Sequence, residues 1–202
     1  MRGKFITFEG VDGAGKSTHV EWFANELRSG RKAVLVTREP GGSQLAEKLR
    51  DLVLQEPMDA VTETLLMFTA RDDHLKKRIV PALEAGTWVV CDRFTDATFA
   101  YQGGGKGVDP ALIESLARVV HPGTQPDCTL VFDCPYEVGR ERLAKSGRAL
   151  DRFEREGQAF FERVRKAYLA MAEKEPGRVR IVDSTQSLDE IRAGLRVILE
   201  KL

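Results

Sequence analysis

The stretch FEGVDGAGKS at 8–17 constrains this chain more than any other. Gly10, Val11, Asp12, Gly13, Ala14, Gly15, Lys16 and Ser17 fit G-x-x-x-x-G-K-[ST], preceded by a strand pattern and followed by a helix pattern, which is the context this loop needs. Its glycines let backbone N–H groups turn inward around phosphates, and the positive end of the following helix adds to the attraction. Lys16 is expected on the β and γ phosphate oxygens and the Ser17 hydroxyl on Mg²⁺. A nucleoside triphosphate is therefore expected here. A guanine switch usually needs Asn-Lys-x-Asp, and the only asparagine is Asn25, inside the first helix pattern. What remains is an ATPase or a kinase that passes a phosphoryl group to a small acceptor.

Short apolar runs recur at KFITFE near the start, AVLVT (33–37), WVVCD (88–92), CTLVFD (128–133) and RIVD (180–183), each read as a buried strand. Amphipathic segments of helical length lie between them, including STHVEWFANELRS, SQLAEKLRDLVLQ and SLDEIRAGLRVILEKL. This alternation predicts an α/β domain with a parallel sheet and helices on both faces. With 202 residues and no linker-like composition, 1–202 reads as one domain, and GGGKGVDP (103–110) as a mobile loop. Lys plus Arg and Asp plus Glu are 31 each, so no net field draws the chain to nucleic acid or an anionic membrane. Cys91, Cys128 and Cys134 lack metal-site spacing and read as core thiols of a reducing compartment. No apolar run is long enough for a membrane span and no signal-peptide pattern opens the chain, so the expected location is cytoplasmic.

A kinase must hold a second anion opposite the first. Asp92 ends WVVCD at the carboxyl edge of the sheet, where a carboxylate can organise Mg²⁺, with Asp133 at the end of LVFD as the alternative. Arg93 follows, and Arg38 opens the turn Arg38-Glu39-Pro40-Gly41-Gly42 after AVLVT. Strand ends share one edge of a parallel sheet, so both guanidinium groups are expected to converge with the cradle on a phosphorylated acceptor. An acceptor base needs an apolar wall with a few polar groups. Leu66, Met67, Phe68, Ala70 and Arg71 can supply it from one helix, with Thr98, Tyr101 and Gln102 from a short helical turn before the glycines. The cradle has no arginine, so a transition-state cation must come from elsewhere. AKSGRALDRFERE (144–156) offers Arg148, Arg152 and Arg155 as a lid, with Arg142 just before it.

EGVDGAGKS, TREPGG, DRF and AYQGGG in that order, with LDRFE in the lid, resemble the bacterial thymidylate kinases, and the resemblance runs from the first strand to the last helix. It implies a three-layer P-loop kinase fold with a five-stranded parallel sheet, Mg-ATP as phosphoryl donor, dTMP as acceptor and a homodimer. By the same resemblance Asp12 serves the deoxyribose 3′-hydroxyl side, Arg38 and Arg93 the dTMP phosphate, and Phe68 stacks on thymine. Arg71, Thr98 and Gln102 would meet thymine edges, and Tyr101 would exclude a ribose 2′-hydroxyl. Lys16, Arg93, Arg148 and Arg152 would act on the transferring group, with Arg142 beside the nucleotide. Two positions depart from the family pattern. Phe68 stands three residues before Arg71 where many relatives have four, which brings Met67 into contention for the base platform, and Thr98 replaces a frequent serine.

Overall fold

A computed structural model describes residues 2–147 and 149–202; Arg148 lies outside the described residues. In chain order the strands are β1 (Phe5–Gly10), β2 (Val34–Arg38), β3 (Trp88–Asp92), β4 (Cys128–Asp133) and β5 (Val179–Asp183). The helices are α1 (Lys16–Ser29), α2 (Gln44–Gln55), α3 (Ala60–His74), α4 (Val80–Glu84), α5 (Thr95–Thr98), α6 (Pro110–Val120), α7 (Tyr136–Lys145), α8 (Gln158–Lys174) and α9 (Leu188–Leu199). Two π-helical stretches, Leu75–Ile79 and Phe99–Gly105, continue α3 and α5.

All strand pairings are parallel, in the order β2-β3-β1-β4-β5. β1 is central and its six residues are buried, which is why it reads as an apolar run apart from Thr7, whose hydroxyl bonds Thr129 at 2.9 Å, and the charged Glu9. Side chains alternate between the two faces: Phe5, Val89 and Cys91 join Leu75, Ile79 and Leu83 on one side, while Ile6, Phe8 and Val90 join Phe23 and Tyr168 on the other. Phe8 anchors the second layer, edge-on to Phe23 at 5.4 Å and stacked on Phe132 at 5.6 Å. Such pairs add about 0.5–1.5 kcal/mol each beyond area burial.

The expected strands and terminal helix patterns are present, but the glycine run is not a loop. Gly103, Gly104 and Gly105 belong to the π-helical turn, which lies directly against α8. A Cβ on Gly104 would stand 2.7 Å from the Ala167 Cβ, and one on Gly105 2.5 Å from the Phe160 ring. The glycines therefore permit close approach of two helices, and this packing holds Tyr101 and Gln102 in place.

Helix starts separate structural from functional termini. Ser43, Asp59, Asp109 and Ser187 cap α2, α3, α6 and α9 with their side chains, and Ser187 with Glu190 makes a full capping box. α1 begins instead at Gly15, in the left-handed conformation (φ 87°), with no side-chain cap and no acid in its first turn. Its leading N–H groups are left for an anion.

Glu9 is the exception in β1. It is fully buried, accepts from the Phe94 N–H (2.7 Å) and the Tyr168 hydroxyl (2.8 Å), and has its pKa pushed from 4.5 to about 8. Burial is the main cause and Asp96 adds to it, against the pull of Arg93 and the two hydrogen bonds. Between about pH 4.5 and 8 the folded chain holds a proton at Glu9 that the unfolded chain has lost, so this group's contribution to stability falls as pH rises through that window. Glu9→Gln lacks the titration. Denaturant midpoints of both proteins at pH 5 and pH 8 should show wild type losing stability relative to the variant toward pH 8; parallel profiles would contradict the assignment.

Candidate active site

The carboxyl edge of the sheet opens into two clefts that share a wall. The larger, about 750 Å³, is lined by the loop from Asp12 to Ser17 and by Arg38, Asp92 and Arg142. That volume suits a nucleotide-sized ligand. The second cleft is lined by Met67, Arg71, Phe94, Thr98, Tyr101 and Gln102 among others. Asp12, Glu39, Arg50, Arg93 and Asp151 belong to both. Two ligands held in these clefts would meet at Arg93.

Arg93 is placed by its backbone as much as by its side chain. Its φ of 70° is uncommon for a residue other than glycine, and its N–H donates to the Phe8 carbonyl at 2.9 Å. The turn directs the guanidinium across the sheet edge. There it donates to the Gly10 carbonyl (2.9 Å), Asp12 Oδ1 (2.6 Å), the Tyr101 hydroxyl (3.0 Å) and the Tyr168 hydroxyl (3.3 Å). The Tyr101 hydroxyl in turn donates to Asp12 Oδ2 at 2.8 Å. Burial alone would raise the Asp12 pKa, but Arg93 and then Lys16 outweigh it and hold the carboxyl below its ordinary value.

The cradle is strongly cationic. Lys16 bends back so that its Nζ donates to the carbonyls of Gly10 and Val11, both at 3.0 Å. Its pKa is lowered, first by burial and then by Arg93. Arg50 of α2, which the sequence reading did not single out, joins the cluster with a donor on the Pro40 carbonyl (2.8 Å), and its affinity for its proton is lowered by burial and then by Arg38. Arg38 is more exposed and pairs with Glu47 at 2.9 Å. Mutual repulsion of this kind is relieved by a polyanion. Arg142 flanks the cradle with a bond to the Ser184 carbonyl (2.7 Å).

Ser17 and Asp92 both line the nucleotide cleft, and Asp92 Oδ1 is buried without a hydrogen-bond partner. A lone oxygen of this kind beside a hydroxyl fits Mg²⁺, which takes most of its ligands from phosphates and water. Asp133, the alternative, is occupied: Arg165 clamps it bidentately at 2.6 and 2.8 Å, and it lines neither cleft. Among the described residues no group of three or more His, Cys, Asp or Glu gathers as a metal cage.

In the second cleft Arg71 is 3 % exposed. Its Nε donates to Glu39 Oε2 (2.7 Å) and its Nη2 to Thr98 Oγ1 (3.1 Å), while Nη1 is buried with no partner. Glu39 also binds His74 Nδ1 (3.0 Å), whose Nε2 meets Thr37 Oγ1 (2.7 Å). Phe68 does not reach this cleft. It is 2 % exposed and packs with Val108 and Ile113, whereas Met67, four residues before Arg71, lines the wall. One residue along a helix turns a side chain by about 100°, enough to move it from wall to core.

The lid follows α7. Asp151 Oδ1 accepts from the N–H groups of Phe153 (2.9 Å) and Glu154 (3.0 Å), closing a tight turn. Arg152 does not point to the cradle: its guanidinium donates to the Val53 carbonyl of α2 and to Glu63 of α3. Arg155 bonds the Leu150 carbonyl at 2.9 Å within the lid. Three buried carboxylates, Glu9, Glu39 and Glu63, also stand around the clefts without belonging to any motif role. A charge inside an apolar strand marks Glu9, and Glu63 stands eight residues before Arg71 on the same helical side.

The sequence model of the thymidylate kinase family matches residues 8–194. The thymidylate kinase of Bordetella pertussis is 58 % identical over 194 residues, covering 96 % of this chain and 93 % of its own. That of Cupriavidus metallidurans is 55 % identical over 202 residues, all of both chains. The crystal structure of thymidylate kinase from Ehrlichia chaffeensis superposes with a TM-score of 0.80 at 32 % identity, covering 99 % of each chain. Matched over nearly its whole length in sequence and in fold, this chain belongs to the thymidylate kinase family.

Proposed function

We propose that this protein phosphorylates dTMP to dTDP with ATP, a step of dTTP synthesis. The observation that carries the proposal is the pair of abutting clefts with Arg93 in their common wall. An acceptor phosphate held there faces the end of a triphosphate lying in the cradle. An acceptor phosphate oxygen forms a bond to the γ phosphorus, the bond from that phosphorus to the β–γ bridging oxygen breaks, and ADP leaves. Positioning and charge neutralisation do most of the work in such a transfer.

In this reading Gly10 to Ser17 cradle the phosphates, Lys16 leaves its loop carbonyls for the β and γ oxygens, and Arg142 flanks the nucleotide. Ser17 and Asp92 would hold Mg²⁺, which when bound would supply positive charge to the phosphate oxygens. Arg93 and Arg38 hold the acceptor phosphate, joined by Arg50. Asp12, tied to Tyr101 and Arg93, faces the sugar. Arg71, Thr98 and Gln102 meet the base edge, and Met67 with Phe94 replaces Phe68 as its apolar wall. Tyr101 and Asp12 close the floor where a 2′-hydroxyl would lie. Arg152 acts by fastening the lid over the acceptor side.

The reading extends to surroundings. Leu45 and Leu52 of α2 and Val61 and Leu65 of α3 are 43–47 % exposed on two helices packed together, a face suited to a second copy of the chain. Three free thiols, all buried, suit a reducing cytoplasm, and no helix among the described residues is long and apolar enough to cross a membrane. No nucleic-acid partner enters this reading.

An acceptor screen with ATP, scoring ADP release for each nucleoside monophosphate, should give dTMP as the best acceptor, dUMP as a weaker one and UMP as a poor one. Equal kcat/KM for UMP and dUMP would remove the sugar role of Tyr101. Lys16→Ala should lower single-turnover transfer by a factor on the order of a thousand while the melting temperature holds, since losing its two bonds to the Gly10 and Val11 carbonyls is offset by relief of a buried cation set against Arg93; near-normal transfer would sink the phosphoryl-transfer reading. Sedimentation should report twice the 22.5 kDa chain mass for wild type and a monomer for Leu65→Asp; a monomeric wild type would end the dimer proposal.

A further inference from the structure

Glu63 lies wholly buried on α3, yet it receives donors from three separate parts of the chain. The Gln102 amide nitrogen donates to Oε1 at 2.7 Å, the Lys106 ammonium to Oε2 at 2.7 Å, and the lid guanidinium of Arg152 to the same Oε2. A carboxylate paired with two cations only accepts hydrogen bonds, so the Gln102 amide has one orientation open to it. Its –NH₂ faces Glu63, and its carbonyl oxygen is left for another donor. Among the described residues none donates to that oxygen.

Gln102 lines the acceptor cleft beside Arg71, whose Nη1 is the buried nitrogen without a partner. Glu39 and Thr98 hold the other two nitrogens, so this donor is fixed as well. The cleft therefore offers a fixed donor and a fixed acceptor. A 4-oxo pyrimidine presents the matching order, a carbonyl O4 next to an N3–H. A 4-amino pyrimidine presents the reverse, an N4 amine next to a bare N3, and would set donor against donor and acceptor against acceptor. Mismatched buried polar groups of this kind can discriminate by several orders of magnitude.

We infer that Glu63 is a positioning residue that locks the Gln102 amide and thereby selects thymine and uracil over cytosine, while its other oxygen latches the lid through Arg152. This rests on the dTMP kinase reading and adds to it a group that touches neither substrate. Removing the negative charge frees the amide to reverse, because a glutamine at 63 can either donate or accept.

The test is kcat/KM for dTMP and for dCMP with ATP, in wild type, Glu63→Gln and Glu63→Asp. Glu63→Gln should lower the dTMP:dCMP ratio at least tenfold, and Glu63→Asp, which still only accepts, should keep it within about threefold of wild type. A folded Glu63→Gln with an unchanged ratio overturns the inference. Wild type inactive on dTMP would instead overturn the function proposed above. Should Glu63→Gln fail to fold, proton exchange of the Gln102 side-chain amide in wild type decides by NMR: slow exchange supports the lock, and exchange at the solvent rate overturns it.

Discussion

The guanidinium of Arg93 is the point on which the site depends. Arg93 follows β3 in a left-handed turn at φ 70°, and its guanidinium reaches across the carboxyl edge of the sheet. Isolated, that backbone conformation costs about 1–3 kcal/mol in a residue with a side chain. It is held by the N–H bond to Phe8 and by side-chain bonds to Gly10, Asp12, Tyr101 and Tyr168. Those partners come from β1, the phosphate loop, the π-helical turn and α8, so one cation joins both clefts to the hydrophobic layer beneath them.

The chain's zero net charge hides how this site is charged. Lys16, Arg38, Arg50 and Arg93 gather at one sheet edge, while three buried acids surround them: Glu9 in β1, Glu39 in the shared cleft wall and Glu63 on α3. Each buried acid acts on a neighbour more than on a ligand. Glu39 aims Arg71 through a pair in which both side chains are 3 % exposed, and removing one member of such a pair typically costs about 3–5 kcal/mol because the other is stranded. This is a preorganised arrangement: the donors stand ready before a substrate arrives, which lowers the cost of ordering them on binding.

Much of the architecture was legible. Five short β-branched runs, helical segments between them and one glycine-lysine-serine loop leave few folds open, because parallel strands buried on both faces must be apolar throughout. Lys16, Ser17, Asp92, Arg93 and Arg38 were legible for the same reason, since each sits at a strand end or loop of one shared edge. The glycine run at 103–105 was misread as a loop because glycine serves flexibility and close approach equally well, and only the nearness of Ala167 and Phe160 tells which applies. The spacing to Arg71 leaves Phe68 and Met67 both open as the base wall, and Met67 is the one that lines the cleft. Glu39 and Glu63 carry no local signal because their partners lie 32 to 89 residues away in sequence.

By itself the sequence determined the topology, the glycine-lysine-serine loop that opens α1 and the arginines at the sheet edge beside it. These follow from local rules: periodicity, turn chemistry and the fact that parallel strand ends share an edge. Tertiary structure alone decided which way the guanidinium and amide groups point, that Met67 and not Phe68 faces the cleft, and that Arg152 fastens the lid to α3 instead of reaching the cradle. Hydrogen-bond direction depends on partners brought together by packing, and no spacing along the chain encodes which buried carboxylate a distant donor will find.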